Sequence, residues 1–404
     1  MRIAFFFDID SDGGGILQQT RKYIDSVLKL EVDQKKILII VNSKKISLEL
    51  RKINIDHLFF NKNFFFIRLF FALNNFSFFR IFFNKYNILN PFENFIKKNS
   101  IDLVIFNSPS YYIFYCKKIN YVINIWNTEI KYNNFFPEFK KNLAYEYQNK
   151  IIKEAVDNAF RIIVFTKQNK KDLENIYNCN SNKIIEQIMI PNLPNIYESN
   201  LYYDFNSFFN DYKINFKDTK FFLYPAQYYP HKNHKFLIDV INFLKKETVK
   251  KFIFIFTGID KGNLSFLKNI VNSLELDKEI IFYENIDDKK LISLYIGCDA
   301  LISATYLGRI SLPLLEAFYF NKPIFYSAEI LDIEFEKKIY SFDLKNPLDL
   351  VSKLIVFLEG KLDYAALINS NKNFYNLNCN DKNFSENYLR IINDYGFYIG
   401  KWKK

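Results

Sequence analysis

The sequence predicts an α/β protein of two doubly wound domains, each a parallel sheet covered by helices on both faces. Three observations lead there. Apolar runs such as IAFFF, ILII, FFLYPA and KFIFIFTG recur without the alternation of a half-exposed strand, as strands buried on both faces must. Between residues 221 and 327 such a run gives way to a polar turn and a helical stretch, repeated about four times. A chain of 404 residues also exceeds one ordinary core, so two domains of roughly 190 residues are expected.

The first strand is expected at residues 3–7, and the turn DIDSDGGG leads into a helix starting near Ile16. Further strands are expected at 37–41, 103–106, 121–125 and 162–165, with helices over 142–158 and 167–177 between them. These form a first domain over 1–190. Residues 191–218 carry two prolines, many Asn, Tyr and Asp and no sustained period, and read as a linker. A second domain follows over 219–380, with a helix from near His234 and another from near Leu312. The stretch KNFSENYLRIINDY is helical in pattern. Polar residues gather after the strands, where open α/β sheets bind ligands, so the second domain reads as holding a nucleotide-sized site.

Composition sets limits. No run reaches the roughly 18 apolar residues needed to cross a bilayer, and MRIAFFFDIDSDGGG lacks the layout of a signal peptide. Cys116, Cys179, Cys298 and Cys379 lie far apart without metal-ligand spacing, as reduced thiols of a cytoplasmic protein do. The net charge is +11, but abundant Lys, Asn, Ile and Phe beside only 10 Gly are the mark of an AT-rich genome. No nucleic-acid motif accompanies the charge, so nucleic acid is set aside as a partner. One segment exceeds that bias: residues 57–98 hold 14 of the 46 Phe, six Lys or Arg and a single acid, Glu93. It is apolar on too many positions for a helix with one buried stripe. It reads either as one or two core helices with an aromatic face, or as a cationic, aromatic surface built on Arg68, Arg80 and Lys85 and resting on a membrane interface.

The strings YPAQYYPHKNH (residues 224–234), FTG (256–258) and LPLLEAFYFNKPI (312–324) resemble family-4 glycosyltransferases of the GT-B fold, in that family's order and near its spacing. The resemblance covers roughly residues 160–360 and evokes enzymes of bacterial surface polysaccharide or lipopolysaccharide synthesis, often mannosyltransferases. It implies two Rossmann-like domains facing across a cleft, with a C-terminal helix, residues 383–404, crossing back to the first. The activity it implies is retaining transfer of a hexose from a GDP- or UDP-linked donor to a glycan or lipid-linked glycan. The nucleotide sugar is then a substrate, and neither cofactor nor metal is expected. The implied place is the cytoplasm, peripherally at the inner membrane's cytoplasmic face through segment 57–98.

The same resemblance assigns residues. Glu316, early in its helix, would hold the ribose diol, with Ser311 and Leu312 at the helix start, where free N–H groups suit a diphosphate. Lys232 would stabilise charge growing on the leaving diphosphate. Five positions before it, Gln227 stands where relatives commonly have arginine. Gly308 stands where a second glutamate is usual, which leaves backbone N–H groups and the neighbouring Arg309. Gly13 and Gly14 would face the donor phosphates, Gly258 would line the cleft beside His231, and Asn285 and Ile286 would lie near the base. In the first domain Asn127 replaces a usual Asp, and Glu129 is the nearby carboxylate. His231 and His234 have no third ligand for a metal and read as shaping the turn and contacting the donor or its phosphate. Two rival readings remain. Asp8 and Asp10 follow the first strand as in haloacid-dehalogenase-type phosphatases, though Asp12 occupies the place of that family's Thr or Val. The departures at Gly308 and Gln227 also suit a GT-B protein that binds nucleotide or glycan without transferring it.

Overall fold

The computed structural model describes residues 1–8, 15–32, 36–61, 65–74, 76–86, 88–193, 205–209, 216–309 and 311–402. Its first sheet comprises β1 (Arg2–Phe7), β2 (Lys36–Val41), β3 (Leu58–Phe59), β4 (Leu103–Phe106), β5 (Asn120–Ile125), β6 (Arg161–Val164) and β7 (Ile184–Glu186). The second comprises β8 (Thr219–Pro225), β9 (Lys251–Gly258), β10 (Ile280–Glu284), β11 (Ala300–Ser303), β12 (Ile324–Ser327) and β13 (Tyr340–Phe342). Their orders are β3-β2-β1-β4-β5-β6-β7 and β10-β9-β8-β11-β12-β13. The pairings are parallel, with Phe5 opposite Ile39 and Ile105 in the first sheet and Leu223 opposite Ile255 and Leu301 in the second. Each sheet reverses its strand order beside its first strand, which opens a crevice at the carboxyl ends. The doubly wound α/β class expected from the sequence is the one observed.

The apolar runs form strands because both faces are covered. Phe5, Phe6 and Phe7 are successive residues and all buried. Phe6 sits edge-on among Phe60, Phe92, Phe106 and Tyr112, with ring centroids 5.2–6.3 Å away. Such edge contacts suit the aromatic quadrupole.

Segment 57–98 divides its aromatics. Phe60 and Phe92 belong to the core, but the helices Phe65–Asn74 and Ser77–Lys85 are not core helices. Phe65, Phe76, Phe78 and Ile81 are 63–71 % exposed. The core-helix reading is not met by the described side chains: the two short helices pack on one another, Phe70 stacking on Phe83 at 4.6 Å, while Phe65, Phe78 and Phe82 face outward. Of the three expected cations, only the Lys85 side chain is among the described ones.

The last helix, Asp381–Trp402, packs on the first domain. Asp381 pairs with Lys22 at 2.9 Å and accepts from Ser26 at 2.7 Å, while Tyr395 donates to the Asp102 carbonyl at 2.7 Å. The four cysteines are free and buried. Among the described residues no helix is long and apolar enough to cross a membrane.

Candidate functional site

A cavity of about 350 Å³ opens between the helix Gly15–Leu28 of the first domain and the carboxyl ends of β8, β9 and β10. Its floor is Pro225, Ala226 and Gln227 after β8, with Thr257 and Gly258 closing β9. Gly258 is required there. A Cβ would lie 2.3 Å from the Ala226 carbonyl oxygen, so the two strand ends approach closely only through glycine.

The helix Leu312–Tyr319 points its N-terminus at the cavity, capped by Ser311. Glu316 lies on this helix, 4 % exposed, and accepts from the Tyr295 hydroxyl at 2.5 Å. Burial pushes its carboxyl up to about 7, against the Tyr295 hydrogen bond and with a further push from Asp288. A carboxyl poised near neutrality on a cavity wall belongs to a binding site more often than to a plain helix end. The first domain contributes Leu17, Gln18 and Arg21 to the cavity. Gln18 donates to Asp288 at 2.7 Å across it, and Arg21 forms a pair with Glu49 at 2.9 Å.

Lys232 ends the 3-10 turn Pro230–Lys232. Burial lowers its ammonium to about 8, while the charges of Glu129 and Glu138 oppose that. His231 is likewise driven down by burial, to about 4, and is neutral at pH 7. Its Nδ1 meets Glu138, which also accepts from the His231 backbone N–H at 3.1 Å. His234 is fully buried among Tyr224, Tyr228 and Phe256, and burial drives its imidazole well down. It packs as a neutral ring.

On the far side of Lys232 the two domains touch. Glu129 Oε1 accepts from the N–H groups of Gly308 at 2.6 Å and Arg309 at 3.2 Å. The Arg309 guanidinium reaches Asp172 at 2.6 Å, Asn169 at 3.0 Å and Thr128 at 3.1 Å. Phe136 leans on Tyr306, and Phe136 and Phe139 flank His231.

Gln227, Gly258, Asn285, Ile286, Leu312 and Glu316 are thus brought together around one cavity. His231, Lys232, Arg309 and Ser311 stand beside that cavity and do not line it. Arg309 faces the first domain. Gly13 and Gly14 lie outside the described residues. Arg21, Gln18 and Asp288 went unnoticed in the sequence, because nothing in a helix's polar residues says which neighbour they will meet. Among the described residues no group of three His, Cys, Asp or Glu is placed to hold a metal.

No curated protein sequence matches the chain. Solved structures of similar shape include HepE from Anabaena in complex with UDP-glucose (12 % identity, 98 % of this chain and 100 % of that one, TM-score 0.69). A glycosyltransferase from Rickettsia africae (17 %, 98 % of each chain, TM-score 0.64) is similar too. So is the lipopolysaccharide outer core galactosyltransferase WaaB (16 %, 96 % and 99 %, TM-score 0.61). Residues 207–373, which hold most of the cavity and all of the motif strings, match the family model of glycosyl transferases group 1, and the whole chain has the GT-B fold.

Proposed function

We propose that the protein is a retaining hexosyltransferase that moves a sugar from a UDP- or GDP-linked donor to a glycan or lipid-linked glycan, as in surface polysaccharide or lipopolysaccharide synthesis. The observation that carries the reading is the buried Glu316 on the wall of a nucleotide-sized cavity whose other walls are strand ends and a helix N-terminus. UDP-glucose in the similarly folded HepE, and the lipopolysaccharide named for WaaB, support the donor and acceptor classes.

In this reading the donor's base lies by Asn285 and Ile286, its ribose on Glu316, and its diphosphate toward Lys232. The bond from the sugar C1 to the leaving phosphate oxygen breaks as the acceptor oxygen bonds to C1. The acceptor's proton passes to the leaving phosphate, so no protein base is required. Lys232 stabilises the charge that grows on that phosphate. No metal or cofactor takes part. The exposed apolar side chains of Phe65, Phe76, Phe78 and Ile81 suit the cytoplasmic face of a membrane carrying a lipid-linked acceptor.

The test is release of free nucleoside diphosphate from UDP-glucose, UDP-galactose and GDP-mannose by the purified protein, alongside thermal shift with UDP, GDP and ADP. Stabilisation by one nucleotide with turnover of its sugar supports transfer. Stabilisation without turnover, with or without added glycan, favours the second reading suggested by Gly308, a protein that binds without transferring.

A further inference from the structure

The loop after β11 lacks a carboxylate of its own at position 308, and the fold brings one to it from the other domain. Gly308 has φ +99°, a conformation that side-chain-bearing residues rarely adopt. In that conformation two successive N–H groups, those of Gly308 and Arg309, converge on the Oε1 of Glu129 at 2.6 and 3.2 Å. Successive backbone N–H groups turned to one point form an anion-binding concavity, and here the anion is a side chain.

Glu129 is built to stay. It is 1 % exposed and opens the short turn Glu129–Lys131 just past the carboxyl end of β5, where the first domain faces the second. Its Oε2 accepts from the Thr128 N–H at 3.1 Å and stands 3.7 Å from the Arg309 guanidinium. A carboxylate this deep is tolerated only with such a complement of donors.

We propose that Glu129 is a positioning residue of the transfer reaction: across the cleft it holds the 308–309 loop in place, so that the two domains together complete the site. The proposal rests on the glycosyltransferase reading above. Glu129 acts through the loop rather than on the nucleotide, whose cavity it does not line.

Glu129→Gln and Glu129→Ala decide it, measured on the full chain with UDP-glucose, UDP-galactose and GDP-mannose. Binding of UDP and GDP is expected to stay within about twofold of wild type, because the walls around Glu316 are untouched. Turnover should fall about 10- to 100-fold in Glu129→Ala with donor KM little changed, and less in Glu129→Gln, which keeps an acceptor for the two N–H groups. Melting temperatures establish that both variants fold. Turnover of Glu129→Ala equal to wild type, or a loss in Glu129→Gln as large as in Glu129→Ala, overturns the role of Glu129 alone. A wild type that turns over none of the donors overturns the glycosyltransferase reading, and this role with it.

Discussion

Arg309 of the second domain places its guanidinium 2.6 Å from the Asp172 carboxylate of the first, and both side chains are nearly buried. Thr128 and Asn169 complete the network, the Thr128 hydroxyl itself donating to Asp172 at 2.7 Å. Buried pairs are costly to make and more costly to break, because the survivor keeps its charge without a partner. Asp172→Ala should therefore lower stability by about 3 kcal/mol. The double variant with Arg309→Met should recover part of that loss. Denaturant titration of the two singles and the double gives the coupling. A single variant within error of wild type would show that the pair stabilises nothing.

Glu316 links stability to binding. Its carboxyl is held at about 7 by burial, against an ordinary value of 4.5. A raised carboxyl contributes its stability fully below the unfolded value and loses it as pH climbs through the folded one. Glu316→Gln should thus be more stable than wild type at pH 8, by roughly 2–3 kcal/mol, and nearly equal to it at pH 4. Its nucleotide affinity should drop. Melting curves at the two pH values and nucleotide titration check both, and unchanged affinity would remove Glu316 from the site.

Lys232→Ala should cost about 2–4 kcal/mol in the barrier to transfer, with a smaller loss in nucleotide binding. Burial holds its ammonium near 8, so wild-type kcat/KM should fall as pH rises through about 8, where the charge disappears. Equal turnover in the variant would refute the assignment. Full loss of activity in a chelator would show that a metal shares its task.

Gly258→Ala forces a Cβ to within 2.3 Å of the Ala226 carbonyl oxygen. The strand end must shift, at about 1–3 kcal/mol. Because both residues line the cavity, nucleotide affinity should fall along with the melting temperature. Normal binding in a destabilised variant would show that the cavity floor adapts.

Phe78→Ser with Ile81→Ser removes two of the most exposed apolar side chains. Co-sedimentation with anionic vesicles should weaken at any salt concentration. Changing Arg68, Arg80 and Lys85 together to Ser should weaken it mainly at low salt, each cation being worth about 1 kcal/mol. Wild-type protein that ignores vesicles at low salt would leave the rings without a membrane role.

The sequence by itself determined the two parallel sheets, because short, continuously apolar runs bounded by turns and alternating with helical stretches are how strands covered on both faces read. The helix Lys167–Tyr177 and the starts of the helices at His234 and Leu312 were equally legible, since turns are local chemistry. So was the cluster from Gln227 to Glu316, whose members follow successive strands and so meet at one sheet end. β3, two residues long, left no such trace. Tertiary structure alone decided the rest. Whether Phe78 is core or surface depended on what packed against its helix, and aromatic composition is the same in both cases. The partners of Gly308 and Arg309 lie 179 and 137 positions away, at Glu129 and Asp172. No periodicity spans that distance. Only the closing of one domain on the other brings a carboxylate to a loop that has none.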